Sequence, residues 1–244
     1  MDLQPTQMKK PNAQPKGDAS DLFQKEWSTY RKMVDNNYLF HAEACHWLRG
    51  ILMERASPFH MLDIACGDAG TTVKALKGTS IAKYTGVDLS FPALEIARNN
   101  LHALNCPVEL IHAEFSQILK NWTALIDVVW IGLSLHHFRA PKKLSVMREV
   151  HRVLKKDGLF VIYENASPAG EKREDWMKRW DLQKPSWNAY SLKEWQAMAS
   201  HVHENDFPET APRWLKLGRD AGFAHVEEIF VSPSNLFRMY CFRK

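Results

Sequence analysis

The sequence predicts an α/β protein built on a mostly parallel sheet with helices on both faces. Three observations predict it. Short apolar runs alternate with helical stretches between residues 59 and 165. The runs are continuously apolar, as in FHMLDIA (59–65), LIDVVWIGL (125–133) and LFVIYEN (159–165), which marks strands buried on both faces. Finally, HVEEIFV (225–231) and LFRMYCF (236–242) are separated only by SPSN, a link so short that it requires an antiparallel hairpin.

Taken in order, residues 1–18 are polar, with Pro5, Pro11, Pro15 and Gly17, and read as a disordered tail. From about 20 to 56 the pattern is helical and aromatic, with Leu39, Ala42, Cys45, Leu48 and Leu52 at three- and four-residue spacing. Ser57-Pro58 ends it. The strand at 59–65 leads to a helix over about 70–77 with Gly78 past its end. KYTGVDL (83–89) is the second strand, and Ser90 caps a helix running to Asn100, with Pro92 in its first turn. PVELIHA (107–113) is the third strand and 125–133 the fourth. Pro141 opens a helix whose Leu144, Met147, Val150 and Leu154 share one face, with Lys155 and Lys156 at its C-terminal end. Asp157-Gly158 then turns into the fifth strand.

Residues 166–210 break the alternation with two further helices, the second opened by a Ser191/Glu194 capping box. A helix over 213–223, closed by Gly222, precedes the hairpin. The expected division is one unit over 19–244. It comprises a helical cap (19–57), a core (58–165), a helical lid insertion (166–212) and a closing helix and hairpin (213–244).

Composition bounds the rest. With 244 residues, 45% apolar and 25% charged, the chain is an ordinary globular protein, not a disordered or fibrous one. A net charge of +4 is too small to argue for nucleic acid. Cys45, Cys66, Cys106 and Cys241 lie far apart without a CxxC pair, which reads as reduced thiols in a cytoplasmic protein. No apolar region follows Lys9 and Lys10, and no run reaches the roughly 18 residues of a membrane span, so neither export nor a membrane is expected.

The most informative stretch is Leu62-Asp63-Ile64-Ala65-Cys66-Gly67-Asp68-Ala69-Gly70-Thr71, a strand entering a loop of small residues and then a helix. Small residues let the backbone approach a ligand, and the helix start offers unpaired N–H groups. Dinucleotides and S-adenosylmethionine both use such a loop. Asp63 discriminates: its carboxylate repels a pyrophosphate but attracts the ammonium of a methionine moiety. Asp88, ending the second strand, suits ribose hydroxyls. Glu114 suits an adenine amino group, and Phe115 the ring face.

These segments resemble the class I S-adenosylmethionine-dependent methyltransferases. LDIACGDAG resembles their glycine loop, GVDLS their second motif, HAEF their third, IDVVWIGLSLHHF their fourth-strand segment, and LKKDGLFVIYE the turn into the fifth strand. Ala65 and Ala69 stand where the family usually has glycine. The resemblance implies a Rossmann-like seven-stranded sheet of order 3-2-1-4-5-7-6, with strand 7 antiparallel. It also implies S-adenosyl-L-methionine held by Asp63, Ala65, Cys66, Gly67, Asp88, Leu89, Glu114, Phe115 and Leu133. Ala65-x-Gly67-x-x-Gly70 also approaches a dinucleotide fingerprint, so an NAD(P)-dependent oxidoreductase is the competing reading.

Leu133-Ser134-Leu135-His136 replaces the Asn/Asp-Pro-Pro-aromatic run of base-amine methyltransferases, and the Pro-Cys nucleophile of cytosine enzymes is missing. A small-molecule substrate is therefore expected, and no nucleic acid. Five of the nine tryptophans fall between Trp176 and Trp214. Tyr30, Tyr38, His41, Trp176 and Trp180, with Trp187 and Tyr190, are candidates for an aromatic lid over the substrate; the competing reading is ordinary core of a helical cap. Glu164, ending the fifth strand, is a candidate for a substrate amine or hydroxyl, or else a helix cap. His136 and His137 are the candidates for proton transfer. No metal is expected, because His201-x-His203 and His41-x3-Cys45-His46 lack partners fixed by spacing. The expected reaction is methyl transfer to a small-molecule oxygen, nitrogen or carbon. The alternatives are an intramolecular cyclisation of the cofactor releasing methylthioadenosine, and a non-catalytic binding protein.

Overall fold

Strands β1 (Phe59–Ile64), β2 (Ile81–Asp88), β3 (Val108–His112), β4 (Ile126–Gly132), β5 (Leu154–Ser167), β7 (His225–Val231) and β8 (Phe237–Arg243) form one sheet in the order β3-β2-β1-β4-β5-β8-β7. The computed structural model describes residues 29–244, so the tail expected at 1–18 and the start of the helical cap lie outside them. A two-residue β6 (Glu209–Thr210) adds a parallel pairing at the end of β5. Allowing for β6, this is the order expected from the sequence. The last strand, β8, runs antiparallel between β5 and β7.

The continuous apolar runs have a direct structural meaning. Successive side chains point to opposite sheet faces. Met61, Val128 and Val161 enter one core, and Leu62, Val129 and Ile162 enter the other. The first core is covered by α2 (His41–Met53) and α3 (Gly70–Leu76), whose Leu48, Leu52, Ala75 and Leu76 are buried in it. The second is covered by α6 (Ala140–Val153) and α9 (Ala211–Ala221), through Val146, Met147, Val150, Trp214 and Leu217. Such a side chain contributes roughly 1.5–3 kcal/mol when fully buried.

Local signals set the helix starts. Ser90 accepts a hydrogen bond from Ala93 N–H at 3.3 Å and caps α4 (Phe91–Leu101). Ser191 and Glu194 form the expected capping box of α8 (Leu192–Asn205). Two local expectations need correction. The helical stretch at 20–56 is not continuous: residues 29–35 (α1) are separated from α2 by a turn in which Asn37 and Phe40 both have φ 53°. Asn37 explains the break, because asparagine tolerates this conformation and its side chain takes the Ala42 N–H at 2.9 Å. Lys155 and Lys156 do not end α6. The chain enters β5 at Leu154, which pairs with Ile126, and Lys155 reaches Asp127 at 2.9 Å.

The segment between β5 and α9 carries α7 (Arg173–Asp181) and α8. Its aromatics pack on one another: Trp180 meets Trp176 at 5.7 Å and Trp187 at 4.9 Å between ring centroids. Tyr38 stacks on Trp187 at 4.9 Å, its hydroxyl accepting from Ala189 N–H and donating to Asn188. Lys32 adds an ion pair to Glu194 at 2.6 Å. The N-terminal segment and the insertion thus form a single cover.

Gly218 tests the packing beneath the hairpin. A Cβ there would lie 2.4 Å from the Phe242 ring and 2.9 Å from Val226. Gly218→Ala is expected to destabilise the protein by about 1–3 kcal/mol through overpacking, seen as a lower urea midpoint at unchanged slope.

Candidate active site

The site forms where the C-terminal ends of β1, β2, β4 and β5 meet the aromatic cover. After β1 the backbone turns through left-handed residues at alternate positions, Ala65 (φ 56°), Gly67 (φ 53°) and Ala69 (φ 54°). A Cβ on Gly67 would meet no atom within 4 Å, so its bare backbone borders open space. Asp88 holds this loop. Its Oδ2 accepts from Gly67 N–H at 2.7 Å and its Oδ1 from Ser90 N–H at 2.8 Å, leaving lone pairs on both oxygens.

A cavity of about 470 Å³ runs from this loop beneath the cover. Tyr30, His41, Ala65, Gly67, Asp88, Leu133, His136, His137 and Trp180, all singled out in the sequence, line it. Asp63 sits behind it, buried, accepting from the Tyr84 hydroxyl at 2.7 Å. Burial pushes the Asp63 carboxyl up to about 7, against the lowering effect of the Tyr84 and Thr72 hydroxyls. Burial likewise pushes His41 down to about 4, with Lys74 adding to the effect, so His41 is a neutral ring whose buried Nδ1 has no hydrogen-bond partner among the described residues.

Other candidates stand apart from the cavity. Glu114 caps α5 (Phe115–Asn121), accepting from Ser116 and Gln117 N–H at 3.0 Å, and with Leu89 and Phe115 borders a neighbouring groove. Cys66 is buried in the loop. Trp176 is fully buried, donating to the Leu236 carbonyl at 3.0 Å, and Tyr38 faces Trp187; both hold the cover together rather than line the cavity.

Glu164 and the two histidines form a network at the cavity floor. Glu164 is 0% exposed and does not line the cavity. Its carboxylate accepts from the backbone N–H groups of Ser134 (2.9 Å), Leu135 (2.7 Å) and His136 (3.2 Å), and from His136 Nδ1 (2.8 Å). The candidate ligand for a substrate therefore caps the turn after β4 and orients His136. With Nδ1 committed to Glu164, Nε2 of a neutral His136 ring carries the lone pair.

Asp206 was not singled out in the sequence. It lies between the histidines, its Oδ1 at 3.3 Å from His137 Nδ1 and 3.8 Å from His136 Nε2. Its Oδ2 accepts from Asn165 Nδ2 at 2.8 Å. Burial alone would raise the Asp206 carboxyl, but the contact with His137 and the charges of the nearby imidazoles hold it below the usual range. Burial would lower His137; Asp206 and Glu164 outweigh it and hold His137 above its ordinary value. His201 also borders the cavity, its ring 5.8 Å from that of His137.

Residues 61–158 match a family model described as a methyltransferase domain. The chain is 32% identical over 108 residues to the demethylmenaquinone methyltransferase of Staphylococcus epidermidis. That match covers 44% of this chain and 43% of the relative, so the chain spans less than half the length of this curated relative. Over residues 61–158 the chain thus matches a methyltransferase domain, in keeping with the resemblance of its motifs to the class I S-adenosylmethionine-dependent methyltransferases. An O-methyltransferase family protein from Burkholderia thailandensis shares the fold at a TM-score of 0.64 and 16% identity, over 87% of this chain and 59% of that one. So does the magnesium protoporphyrin IX methyltransferase of Synechocystis with bound S-adenosylmethionine, at a TM-score of 0.56 and 10% identity over 88% and 83%.

The loop and the acids beside it fit S-adenosylmethionine, the cofactor expected from the sequence. The open backbone at Gly67 leaves room for a ligand, Asp88 has free lone pairs, and buried Asp63 can match a cation. The match of residues 61–158 to a methyltransferase domain favours this cofactor over a nicotinamide.

Asp63 gives a pH-dependent test. Its folded value of about 7 exceeds the roughly 3.9 of an unfolded aspartate, so the native state holds the proton more tightly. Ligand-free stability therefore carries a component that falls as pH rises from about 4 to about 7. Asp63→Asn is expected to remove it. Urea unfolding at several pH values should show the wild-type-minus-variant difference declining across that window; a flat difference would contradict the assignment.

Proposed function

We propose that this protein transfers a methyl group from S-adenosylmethionine to a small, largely apolar acceptor beneath its aromatic cover. The observation that carries the reading is the single cavity joining Gly67 and Asp88 to His136 and His137, with Met33, Leu39, Trp180, Met198, Val202 and Phe237 around it. Its size is within the range of small-molecule sites. The 58–165 segment would hold the cofactor, and 19–57 and 166–212 would close over the acceptor. A flat ring system suits such a lining, in keeping with a relative named for acting on demethylmenaquinone. The four described cysteines are unpaired, which supports cytoplasmic residence, and no helix among the described residues is long and apolar enough to cross a membrane.

When bound, the cofactor supplies an electrophilic methyl group on a sulfonium. The chain's part is binding, alignment and proton handling. Gly67 and Asp88 would receive the ribose, and Asp63 the ammonium. The apolar cover excludes water from the reacting atoms. At the other end His136 Nε2 is the proton acceptor, and Glu164 acts as its positioning residue by holding Nδ1–H.

S-adenosylmethionine and S-adenosylhomocysteine should each raise the unfolding midpoint. A ligand at 100 times its dissociation constant adds about 2.7 kcal/mol, several degrees for a domain of this size. NADH and NADPH should not. Turnover with candidate hydroxylated aromatics should release S-adenosylhomocysteine; methylthioadenosine as the product, or no binding of either adenosyl ligand, would overturn the reading. Asp88→Ala should weaken S-adenosylhomocysteine binding. His136→Gln should leave that binding intact and lower kcat by about 10²-fold or more.

A further inference from the structure

We propose that His136, His137 and Asp206 form a binding site for a divalent first-row transition-metal ion. The three residues bring Nε2, Nδ1 and Oδ1 together at the cavity floor, with Oδ1 at 3.3 Å and 3.8 Å from the two nitrogens. All three ligand atoms lie within 4.8 Å of one another. Nitrogen and oxygen ligands sit about 2.0–2.2 Å from such an ion, so atoms sharing it are roughly 3–4 Å apart. The observed spacings need little adjustment.

The surroundings are those of a built site. Metal-bound histidines commonly donate their other ring N–H to a carboxylate, which fixes the ring and leaves the ligating nitrogen free. His136 does this with Glu164 at 2.8 Å. Asp206 is fixed in the same way: Asn165 holds Oδ2 at 2.8 Å, while Oδ1, although approached by both imidazoles, receives no well-aligned hydrogen bond. Asn165 lines the cavity too, and its own buried Oδ1 has no donor among the described residues. Two carboxylates, Glu164 and Asp206, are buried together here, and Lys143 is committed to the Phe207 carbonyl and Glu209.

Two imidazoles and one carboxylate favour zinc, cobalt, nickel, iron or manganese over calcium or magnesium. His201 borders the same cavity outside this set, its ring 5.8 Å from that of His137, and the open cavity leaves room for an acceptor atom. In the loaded protein the histidines would be ligands rather than proton acceptors. The cation would then select acceptors presenting an oxygen and favour their ionised form; that consequence rests on the methyl-transfer reading, whereas the metal site stands on the geometry alone.

The test uses chelator-stripped, full-length protein titrated with Co²⁺ and followed by visible absorption, with Zn²⁺ binding measured by calorimetry. One ion per chain is expected. Asp206→Asn and His137→Ala should each weaken binding by about tenfold or more. His203→Ala should not, because His203 pairs with Asp181 on the surface at 2.9 Å. Stabilisation by S-adenosylhomocysteine, measured on each variant, checks the fold. No binding below millimolar metal, or equal affinity in Asp206→Asn and His137→Ala, overturns the site. Metal binding by these residues without any adenosyl-ligand binding upholds the site and overturns methyl transfer; methyl transfer without metal binding does the reverse.

Discussion

The floor of this active site depends on one buried carboxylate. Glu164 has no solvent contact, and an ionised carboxylate removed from water costs several kcal/mol unless donors surround it. The donors come from the turn after β4, where Ser134, Leu135 and His136 offer three backbone N–H groups and His136 adds its ring. The dependence is mutual. Without Glu164 those N–H groups lose their acceptor, at about 1–3 kcal/mol for each one left unsatisfied. The same turn includes Leu133 at φ 50°, a conformation leucine rarely adopts, and its N–H is taken by the Tyr163 carbonyl at 2.7 Å. The tips of β4 and β5 are thereby joined, and His136 has one orientation.

Around that anchor the chain fixes a remote segment. The Phe207 N–H donates to the His136 carbonyl at 2.7 Å, and Asn165 holds Asp206. Lys143, fully buried in α6, binds the Phe207 carbonyl and Glu209, while β6 pairs Glu209 with Ala166. Arg139 and Arg173 lie over the Phe207 ring at 4.3 Å and 5.2 Å. Breaking a buried pair such as Lys143–Glu209 typically costs 3–5 kcal/mol, because one charge is left uncompensated. These contacts stabilise a connection with little regular structure of its own, and they set Asp206 between two histidines.

What could be read in the sequence follows from this arrangement. The β1 loop and the Ser90 cap are built by neighbours in the chain, so they were visible in short motifs, whereas Asp88 holds the loop from 21 residues away. Sheet order beyond the hairpin came from resemblance and matches the structure. The function of Glu164 was only half visible: its position at a strand end was plain, but whether it faced the substrate or the backbone depends on the turn after β4. Asp206 gave no local signal, since the contacts that aim it come from Asn165, His136, Lys143 and Arg173, all distant in sequence. The break over residues 36–40 lay inside a periodic apolar pattern, and periodicity does not register a five-residue turn. The aromatic lid separates in the same way: Trp180 reaches the cavity, whereas Trp176 and Tyr38 serve the cover itself.

The cavity treats its carboxylates in opposite ways at its two ends, and this gives a physical basis for cofactor choice. At the floor, imidazoles keep Asp206 ionised without any ligand. Behind the loop, Asp63 has only hydroxyl partners against full burial, which leaves it near half-protonated around neutrality. A pyrophosphate arriving at this loop would raise Asp63 further and gain nothing from it. An ammonium would lower it, drawing out the proton and forming a charge-assisted pair where water does not compete. Asp63 thus rewards cationic ligands and disfavours anionic ones through the same desolvation. On the proposed function, a backbone loop open to either cofactor would gain its selectivity from the acid set two residues before its first left-handed residue.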